Sequence, residues 1–256
     1  MFSDLRDQVA VVTGGARGLG LQMATALAGQ GCHIALLDLL EEQASTSAAQ
    51  LAGDHGVRAV GIGCDVTDPD SVTAAIAAVV EQLDSPQILI NAAGIAMHKD
   101  STEVAPDEWR KVIDIDLNGV FFSSQAFARQ VLLAGDKATI VNVASMSAFA
   151  VNIPQRQASY NAAKAGVEQL TRSLAVEWIG NGIRVNAISP GYFRSDMTKQ
   201  FIEQNPEMGE FWVSRIPAGR MGEPEDLDGV VLFLASDASR YVVGECIVVD
   251  GGYTIV

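Results

Sequence analysis

Few residues of this sequence are suited to disulfide or metal chemistry. Cysteine and histidine occur only three times each in 256 residues. Cys32, Cys64 and Cys246 are odd in number and far apart, so they fit neither a disulfide framework nor a Cys-x-x-Cys motif. The histidines show no spacing typical of metal ligands. We therefore expect three buried, reduced thiols, as in a cytoplasmic protein, and no metal site.

Basic residues and long apolar runs are also scarce. Lys and Arg number 17 against 31 Asp and Glu, which gives a formal net charge of −14. A chain this acidic repels phosphate backbones, so we expect no nucleic-acid partner, and any anionic ligand must be held by local donors. No apolar run reaches the roughly 20 residues that a membrane span needs. The N-terminal segment lacks a basic-then-apolar leader, so we expect no signal peptide and no membrane partner.

The chain does contain a regular alternation of short apolar runs and longer segments of helical periodicity. Seven runs are predicted to be strands, at residues 9–14, 33–38, 57–66, 88–94, 138–145, 184–191 and 246–252. Six segments are predicted to be helices, at residues 19–29, 41–52, 69–83, 106–133, 156–179 and 225–235. Pro69 and Pro106 fall in the first turn of two of them, after polar capping candidates. Strands that are apolar almost throughout are buried on both faces. The pattern predicts one α/β domain over residues 1–256, with a doubly wound parallel sheet flanked by helices.

The segment from about 192 to 222 interrupts this alternation. It is long, mixes aromatic with polar residues, and separates the sixth strand from the next predicted helix. Long irregular insertions in compact domains are usually lids or binding loops, so we interpret it as a substrate loop. Ordinary surface decoration is the alternative.

A glycine-rich turn joins the first predicted strand to the first helix, in the segment VAVVTGGARGLG. Gly14, Gly18 and Gly20 allow a tight turn and a close approach of the backbone to a ligand. The free N–H groups of the helix N-terminus then favour a pyrophosphate. Asp38 closes the second strand, where an acid accepts hydrogen bonds from an adenosine ribose and repels a 2′-phosphate. This favours NAD, although Arg17 in the turn could instead pair with that phosphate.

Tyr160 and Lys164 stand four residues apart in SYNAAKAGVEQL, a stretch rich in helix-forming residues. On a helix this spacing places both side chains on one face. An ammonium near a phenol favours the phenolate, which suits a tyrosine for proton transfer. A surface helix that merely carries both residues is the alternative, and the pair by itself does not decide between the two.

Seven motifs in order favour the proton-transfer role of the Tyr160–Lys164 pair, because together they resemble the short-chain dehydrogenase/reductase family. They are TGGARGLG (13–20), Asp65 in CDV, NAAG (91–94), Asn118 in DLNGVF, Ser145 in NVASMS, YNAAK (160–164) and PGYFRSDM (190–197). The resemblance covers nearly the whole chain. It implies a seven-stranded Rossmann fold, a nicotinamide cofactor, a homotetramer and a catalytic set of Asn118, Ser145, Tyr160 and Lys164.

The same resemblance implies a role for each of these residues. Tyr160 is the acid/base, Lys164 favours its phenolate and bonds the nicotinamide ribose, and Ser145 orients the substrate oxygen. Asn118 anchors a water that links Lys164 to solvent. The usual serine-to-tyrosine distance in the family would select Ser147, but Ser145 directly ends the strand and is preferred.

The cofactor residues implied by the resemblance come from six parts of the chain. Asp65 and Val66 flank the adenine, Asn91 lines the cofactor path, and Phe193 and Ser195 hold the carboxamide. The full set is Gly14, Arg17, Gly18, Leu19, Gly20, Asp38, Asp65, Val66, Asn91, Gly94, Tyr160, Lys164, Phe193 and Ser195.

The predicted substrate is a sugar alcohol or its ketose. The loop before Tyr160 is rich in polar side chains, and Ser147 and Asn152 are the candidates to grip hydroxyl groups, beside Ser145 and Tyr160. SMSAFAVNIPQ and VDGGYTIV are also similar to bacterial polyol dehydrogenases. A 3-oxoacyl-thioester (acyl carrier protein) reductase is the alternative within the family. A non-catalytic dinucleotide sensor is the alternative outside it.

Overall fold

A seven-stranded parallel sheet forms the centre of the protein in this computed structural model, which describes residues 2–195, 198, 202–203 and 205–256. Its strand order is β3-β2-β1-β4-β5-β6-β7. The strands are β1 (Val9–Thr13), β2 (His33–Asp38), β3 (Ala59–Gly63), β4 (Ile88–Asn91), β5 (Ala138–Val143), β6 (Ile183–Pro190) and β7 (Cys246–Val249). The predicted doubly wound α/β architecture is confirmed.

Burial explains why the central strands are apolar almost throughout. Every residue of β1, β4 and β5 is buried, because helices cover both faces of the sheet there. The outermost strands, β3 and β7, are only half-buried, since each has a neighbouring strand on one side. Both are shorter than predicted, because their flanking residues leave the sheet for the loops at its edge.

The helices cover the sheet in two layers. They are α1 (Gly18–Ala28), α2 (Glu41–His55), α3 (Pro69–Leu83), α4 (Pro106–Ile113), α5 (Gly119–Ala134), α6 (Ala158–Trp178), α7 (Pro206–Ser214) and α8 (Asp228–Ala235) among the described residues. Asp68 caps α3 by accepting a hydrogen bond from the Asp70 N–H at 3.0 Å. The expected polar cap of α4 is wrong: Ala105 stands at that position, and Glu108 accepts its N–H at 2.8 Å.

The predicted helix over residues 106–133 is interrupted. A π-helical turn, Asp114–Asn118, separates α4 from α5. A π turn inserts an extra residue into the helical ladder, and such turns are frequent at functional sites.

The described part of the segment 192–222 includes regular structure, which the predicted irregular insertion lacks. It contains α7, and it leads into a 3-10 turn at Pro224–Leu227, so the helix predicted from residue 225 becomes α8 only at Asp228. The predicted lid also includes residues 196, 197, 199–201 and 204, which lie outside the described residues.

The thiols are free but not all fully buried. Cys32 and Cys64 are buried, whereas Cys246 on the edge strand β7 is half-buried, which corrects the expectation for that residue. Within the described residues, no group of three His, Cys, Asp or Glu side chains could hold a metal ion. In the same part of the chain, no helix is long and apolar enough to cross a membrane.

Candidate active site

The candidate residues collect at the carboxyl edge of the sheet. β1 pairs with β2 on one side and with β4 on the other, so the chain reverses its direction of winding at β1. In open α/β sheets a crevice forms at such a switch point, beyond the carboxyl ends of the strands. The glycine turn follows β1, and the NAAG segment begins at the last residue of β4.

The glycine turn is packed too tightly for a larger residue at several positions, including Gly14 and Gly20. A Cβ on Gly14 would lie 2.7 Å from Ala93 Cα, and one on Gly20 would lie 2.2 Å from the Gly14 carbonyl oxygen. Gly18 differs, because a Cβ there would meet nothing within 4 Å and its φ is +61°. The backbone at Gly18 therefore faces open space at the N-terminus of α1. This arrangement fits a ligand that approaches the N–H groups of the helix.

The Asp38 carboxylate is hydrogen-bonded to the glycine turn. Its Oδ2 accepts the Ala16 N–H at 3.0 Å, and its Oδ1 accepts the Leu40 N–H at 3.0 Å. The carboxylate therefore stands at the end of β2 beside the turn, as the sequence predicts. Arg17 caps α1 in an extended conformation, and its side chain is exposed. Both residues that bear on the choice between NAD and NADP border the same crevice.

Asp65 and Val66 follow β3 at the same edge of the sheet. Asp65 Oδ1 accepts from the Thr67 N–H at 2.9 Å and from the Thr67 hydroxyl at 2.7 Å, which fixes a turn. Val66 is buried, and a Cβ on Gly119 would lie 2.8 Å from its Cγ2. Val66 therefore packs against the start of α5.

Asn91, at the end of β4, belongs to a buried polar network. Its Nδ2 donates to Ser124 Oγ at 2.9 Å and to Asn142 Oδ1 at 2.8 Å. Asn142 in turn donates to Thr171 Oγ1 at 2.9 Å, so the network joins two strands to α5 and α6. Asn91 Oδ1 has no hydrogen-bond partner among the described residues. The amide thus stabilises the floor of the crevice and retains one unused acceptor.

Tyr160 and Lys164 lie on one face of α6, as their spacing predicts. Lys164 Nζ is 5.6 Å from the centroid of the Tyr160 ring. Lys164 is 4% exposed, and its ammonium donates to the Val143 carbonyl at 3.0 Å. Tyr160 is half-buried, so its hydroxyl can meet a ligand while the lysine stays behind it.

Sequence reasoning missed Asp116, a fully buried acid in the π turn. Its Oδ2 lies 3.3 Å from Lys164 Nζ, and its Oδ1 accepts the Ile95 N–H at 2.9 Å. Burial lowers the pKa of Lys164, but Asp116 and Tyr160 together more than offset this effect and hold the pKa above its usual value. Burial raises the pKa of Asp116, against the opposing effect of Lys164. Asn118 donates to Asp114 Oδ1 at 2.8 Å, and its expected bond to a water stays a prediction.

Ser145 and Ser147 differ in how their hydroxyl groups are used. Ser145 follows the end of β5, is buried, and its Oγ accepts the Ser147 N–H at 3.1 Å. The Ser147 hydroxyl donates to Asn152 Oδ1 at 2.6 Å. Gln157 Nε2, which lies 3.2 Å from Ser147 Oγ and 3.3 Å from Asn152 Oδ1, completes a buried cluster of hydroxyl and amide groups. Gln157, the last member of the cluster in the sequence, precedes Tyr160 by three residues.

A second layer behind this cluster ties it to the segment 192–222. Tyr192 OH accepts from Asn152 Nδ2 at 3.0 Å and from Gln155 Nε2 at 2.7 Å. The Tyr192 ring stacks on Trp212 of α7 with centroids 4.3 Å apart, and Trp212 Nε1 donates to Gln155 Oε1 at 3.1 Å. Burial raises the pKa of Tyr192 to about 12, so this tyrosine stays protonated at working pH. The roles of Tyr192 and Trp212 depend on contacts that local sequence patterns do not encode.

Phe193 and Ser195 form a tight turn after β6. Phe193 is buried and pairs with Gly222 in an isolated bridge, while its carbonyl accepts the Ser195 N–H at 2.9 Å. The Thr198 hydroxyl also donates to that carbonyl. The Ser195 N–H lies 2.9 Å from Thr198 Oγ1. The turn places both predicted carboxamide residues at the carboxyl edge of the sheet.

Comparison with known proteins identifies the family of this chain. A family model described as enoyl-(acyl carrier protein) reductase matches residues 14–254. Galactitol 2-dehydrogenase (L-tagatose-forming) from Cereibacter sphaeroides is 45% identical over 246 residues, which cover 96% of this chain and 94% of that protein. The chain belongs to the short-chain dehydrogenase/reductase family.

Solved structures of this family superpose closely on the chain. A short-chain type dehydrogenase/reductase from Mycobacterium marinum gives a TM-score of 0.94 at 38% identity, and the match covers 100% of this chain and 98% of the other. NADPH-dependent 3-quinuclidinone reductase from Rhodotorula rubra gives a TM-score of 0.92 at 31% identity, with 100% and 94% covered. The protein is thus an oxidoreductase of this family with its dinucleotide-binding fold, as the sequence motifs predict.

Proposed function

We propose that the protein is an NAD-dependent dehydrogenase that interconverts a secondary alcohol of a sugar alcohol and the corresponding ketone. The observation that carries the substrate class is the buried Ser147–Asn152–Gln157 cluster beside Tyr160. A polyol needs matched donors and acceptors, because each buried polar group left unpaired costs about 1–3 kcal/mol. The similarity to galactitol 2-dehydrogenase supports the same class.

The crevice fits a nicotinamide dinucleotide. Gly18 leaves open space above the N-terminus of α1, where a pyrophosphate would accept N–H bonds, and Asp38 stands where the adenosine ribose would reach. Asp65, Val66, Asn91, Gly94, Phe193 and Ser195 would border the rest of the dinucleotide. Asp38 favours NAD, since a carboxylate repels a 2′-phosphate. Arg17 is exposed in the turn and the Rhodotorula reductase depends on NADPH, so rates with NAD and with NADP test this preference.

In oxidation, a bound dinucleotide supplies the hydride acceptor, and this chain supplies the proton acceptor. Tyr160 as phenolate takes the hydroxyl proton of the alcohol as the hydride leaves the carbinol carbon. Lys164 favours that phenolate through its positive charge. Among the described residues, Ser145 Oγ accepts the Ser147 N–H and donates to none of them, so its hydrogen can be donated to the substrate oxygen. In reduction Tyr160 returns the proton.

Tyr192 is the other tyrosine near the substrate cluster, but it is unsuited to this role. Its hydroxyl is held by Asn152 and Gln155, and burial raises its pKa to about 12. Proton transfer near neutral pH needs a group that changes its charge there. Tyr192 therefore supports the substrate cluster, and Tyr160 carries the proton.

A 3-oxoacyl-thioester reductase is the second candidate function, because the family model that matches this chain is named for a reductase that acts on acyl carrier protein substrates. Such an enzyme would present an apolar channel for the acyl chain and basic residues for an acidic carrier protein. The cluster beside Tyr160 is polar instead, and the net charge is −14. These two properties favour the polyol.

We further propose that the protein assembles as a homotetramer. α5 and α6 expose large apolar side chains, among which Leu133 is 85% exposed and Val176 is 78% exposed. The C-terminal Ile255 and Val256 are also exposed. Contact with further copies of the chain would remove this apolar surface from water.

Initial rates with a panel of polyols, simple secondary alcohols and acyl-thioester substrates, each tried with NAD and NADP, test the proposal. We expect the highest kcat/KM for a polyol with NAD. A higher kcat/KM for a 3-oxoacyl thioester would replace the proposal by the second candidate. Dinucleotide binding without turnover of any substrate would indicate a sensor.

A further inference from the structure

A buried ion pair lies directly behind the proposed proton acceptor. Asp116 has no exposed surface, Lys164 has 4%, and the two charged groups are 3.3 Å apart. Gly94 closes the pair from the side of the crevice, since a Cβ there would lie 2.9 Å from Asp116 Oδ2 and 3.4 Å from Lys164 Nζ. The two charges thus interact at short range and away from bulk water.

The carboxylate depends on Lys164 for the compensation of its charge. Asp116 Oδ1 accepts the Ile95 N–H, but Oδ2 has no hydrogen-bond partner among the described residues. A buried carboxylate without a paired charge is strongly destabilising. Lys164 is the cation beside it, and Lys164 is itself held by the Val143 carbonyl. Asp116 therefore holds Lys164 in its protonated form and keeps its ammonium in place.

We propose that Asp116 is a positioning residue whose negative charge holds Lys164 beside Tyr160 and sets the pH at which the Tyr160–Lys164 pair releases its proton. The expected effect of Asp116 on turnover rests on the proposed proton-transfer role of Tyr160. The expected effect of Asp116 on proton release can be measured without any substrate.

Counting charges gives the direction of the effect. With Asp116 ionised and Lys164 protonated, the site is neutral before Tyr160 loses its proton and carries one negative charge afterwards. Without the carboxylate, the site would change from one positive charge to neutral. Burying a net charge is unfavourable, so Asp116 delays proton release to higher pH. Because the groups are coupled, this pH belongs to the cluster and not to one residue.

Other charged groups around the pair do not take over this role. The charges that act on Lys164 are those of Asp116 and Tyr160. Asp114, two residues earlier in the π turn, is bonded to Asn118. Glu168, one turn further along α6, lies 3.6 Å from Arg172 and accepts from Ser189 at 3.3 Å.

Asp116 should therefore shift the pH ranges in which the enzyme oxidises the alcohol and reduces the ketone. Oxidation needs the phenolate, so Asp116 moves the acidic limb of the pH profile of oxidation to higher pH. Reduction needs the phenol, so the same carboxylate extends ketone reduction to more alkaline pH.

Asp116→Asn tests the inference, because it removes the charge and keeps an acceptor for the Ile95 N–H. The pH profile of kcat/KM for oxidation should move to lower pH by about one pH unit. The ultraviolet absorption of the Tyr160 phenolate, taken as the difference from Tyr160→Phe in protein without substrate, should move in the same direction. Asp114→Asn removes an equal charge from the same turn and should leave the phenolate titration where it is in the wild type.

Asp116→Ser is a second variant in case the asparagine weakens the fold, and circular dichroism checks both. A phenolate titration that does not move in either folded variant would overturn the inference, as would an equal shift in Asp114→Asn. If no alcohol is oxidised by any variant, the proposed function fails, but the phenolate titration still decides the role of Asp116.

Discussion

The Lys164 ammonium donates to the Val143 carbonyl at 3.0 Å and lies 5.6 Å from the centroid of the Tyr160 ring. The end of strand β5 thus anchors the lysine, and the lysine presents its charge to the tyrosine from behind. Because the lysine is held by the backbone, its position does not depend on the phenol. A variant that changes only the phenol should therefore leave the rest of the site in place.

We expect Tyr160→Phe to lower kcat by roughly 10²–10⁴-fold, the usual contribution of a positioned acid/base group. NAD affinity, measured by calorimetry, should change little, since the ring and Lys164 remain. Tyr241→Phe is the matched control, because Tyr241 is 99% exposed and far from the catalytic set in sequence. A Tyr160→Phe enzyme that kept a tenth of the wild-type kcat would contradict the assignment.

Asp38→Asn should raise the ratio of kcat/KM for NADP to that for NAD by about tenfold, which corresponds to about 1.4 kcal/mol. The asparagine oxygen can still accept the Ala16 N–H, so the glycine turn should persist while the repulsion of a 2′-phosphate is lost. Arg17→Ala is the companion variant and should lower the use of NADP. A wild-type enzyme that prefers NADP would show that Arg17 outweighs Asp38.

Asn152→Ala should raise KM for a polyol several-fold more than KM for a simple secondary alcohol. The amide lies between the Ser147 hydroxyl and Tyr192 OH, and its loss leaves buried polar groups unpaired. Gln169→Ala changes an exposed amide on α6 and serves as the control. Equal changes in KM for both alcohols would count against Asn152 as a substrate residue.

The thiols should react slowly in the folded protein. Burial raises the pKa of Cys32 to about 12, of Cys64 to about 11 and of Cys246 to about 12, and the thiolate is the reactive form. At mildly alkaline pH we expect labelling by a disulfide reagent to be at least roughly 100-fold slower than in denatured protein.

The same raised pKa values of the thiols determine whether the free energy of unfolding rises or falls with pH. Unfolded thiols ionise near their ordinary pKa of about 8.5, whereas the native thiols stay neutral until pH 11–12. The unfolded state therefore binds fewer protons in this window, and the free energy of unfolding should fall as pH rises through it. Denaturant melts at several pH values check this, and an increase in stability over the window would contradict it.

The family resemblance implies a tetramer in solution, and the exposed apolar surface of α5 and α6 supports an assembly. Light scattering at micromolar concentration should give four times the subunit mass of 27.0 kDa. Replacing the exposed Val176 by Glu should shift the distribution to smaller species without loss of helix content. A single subunit mass for the wild type would refute the proposed assembly.

Local sequence patterns determined the sheet, most of the helices and the Tyr160–Lys164 face. The apolar runs of the strands and the four-residue spacing on α6 are periodic features, and periodicity is a property of neighbouring residues. The glycine turn was also predictable, because Gly14 and Gly20 are required wherever the backbone packs this closely. The π turn at Asp114–Asn118 was not, because the sequence pattern predicts one continuous helix over residues 106–133.

The tertiary structure alone decided which residues surround these elements. Asp116 meets Lys164 from another helical segment, and Trp212 meets Gln155 across 57 residues of chain. Such contacts depend on how helices and loops pack over the sheet, and no spacing along the sequence encodes them. For the same reason Tyr192, which follows the sixth strand, could be placed behind the substrate cluster only once the folded chain brought it to Asn152.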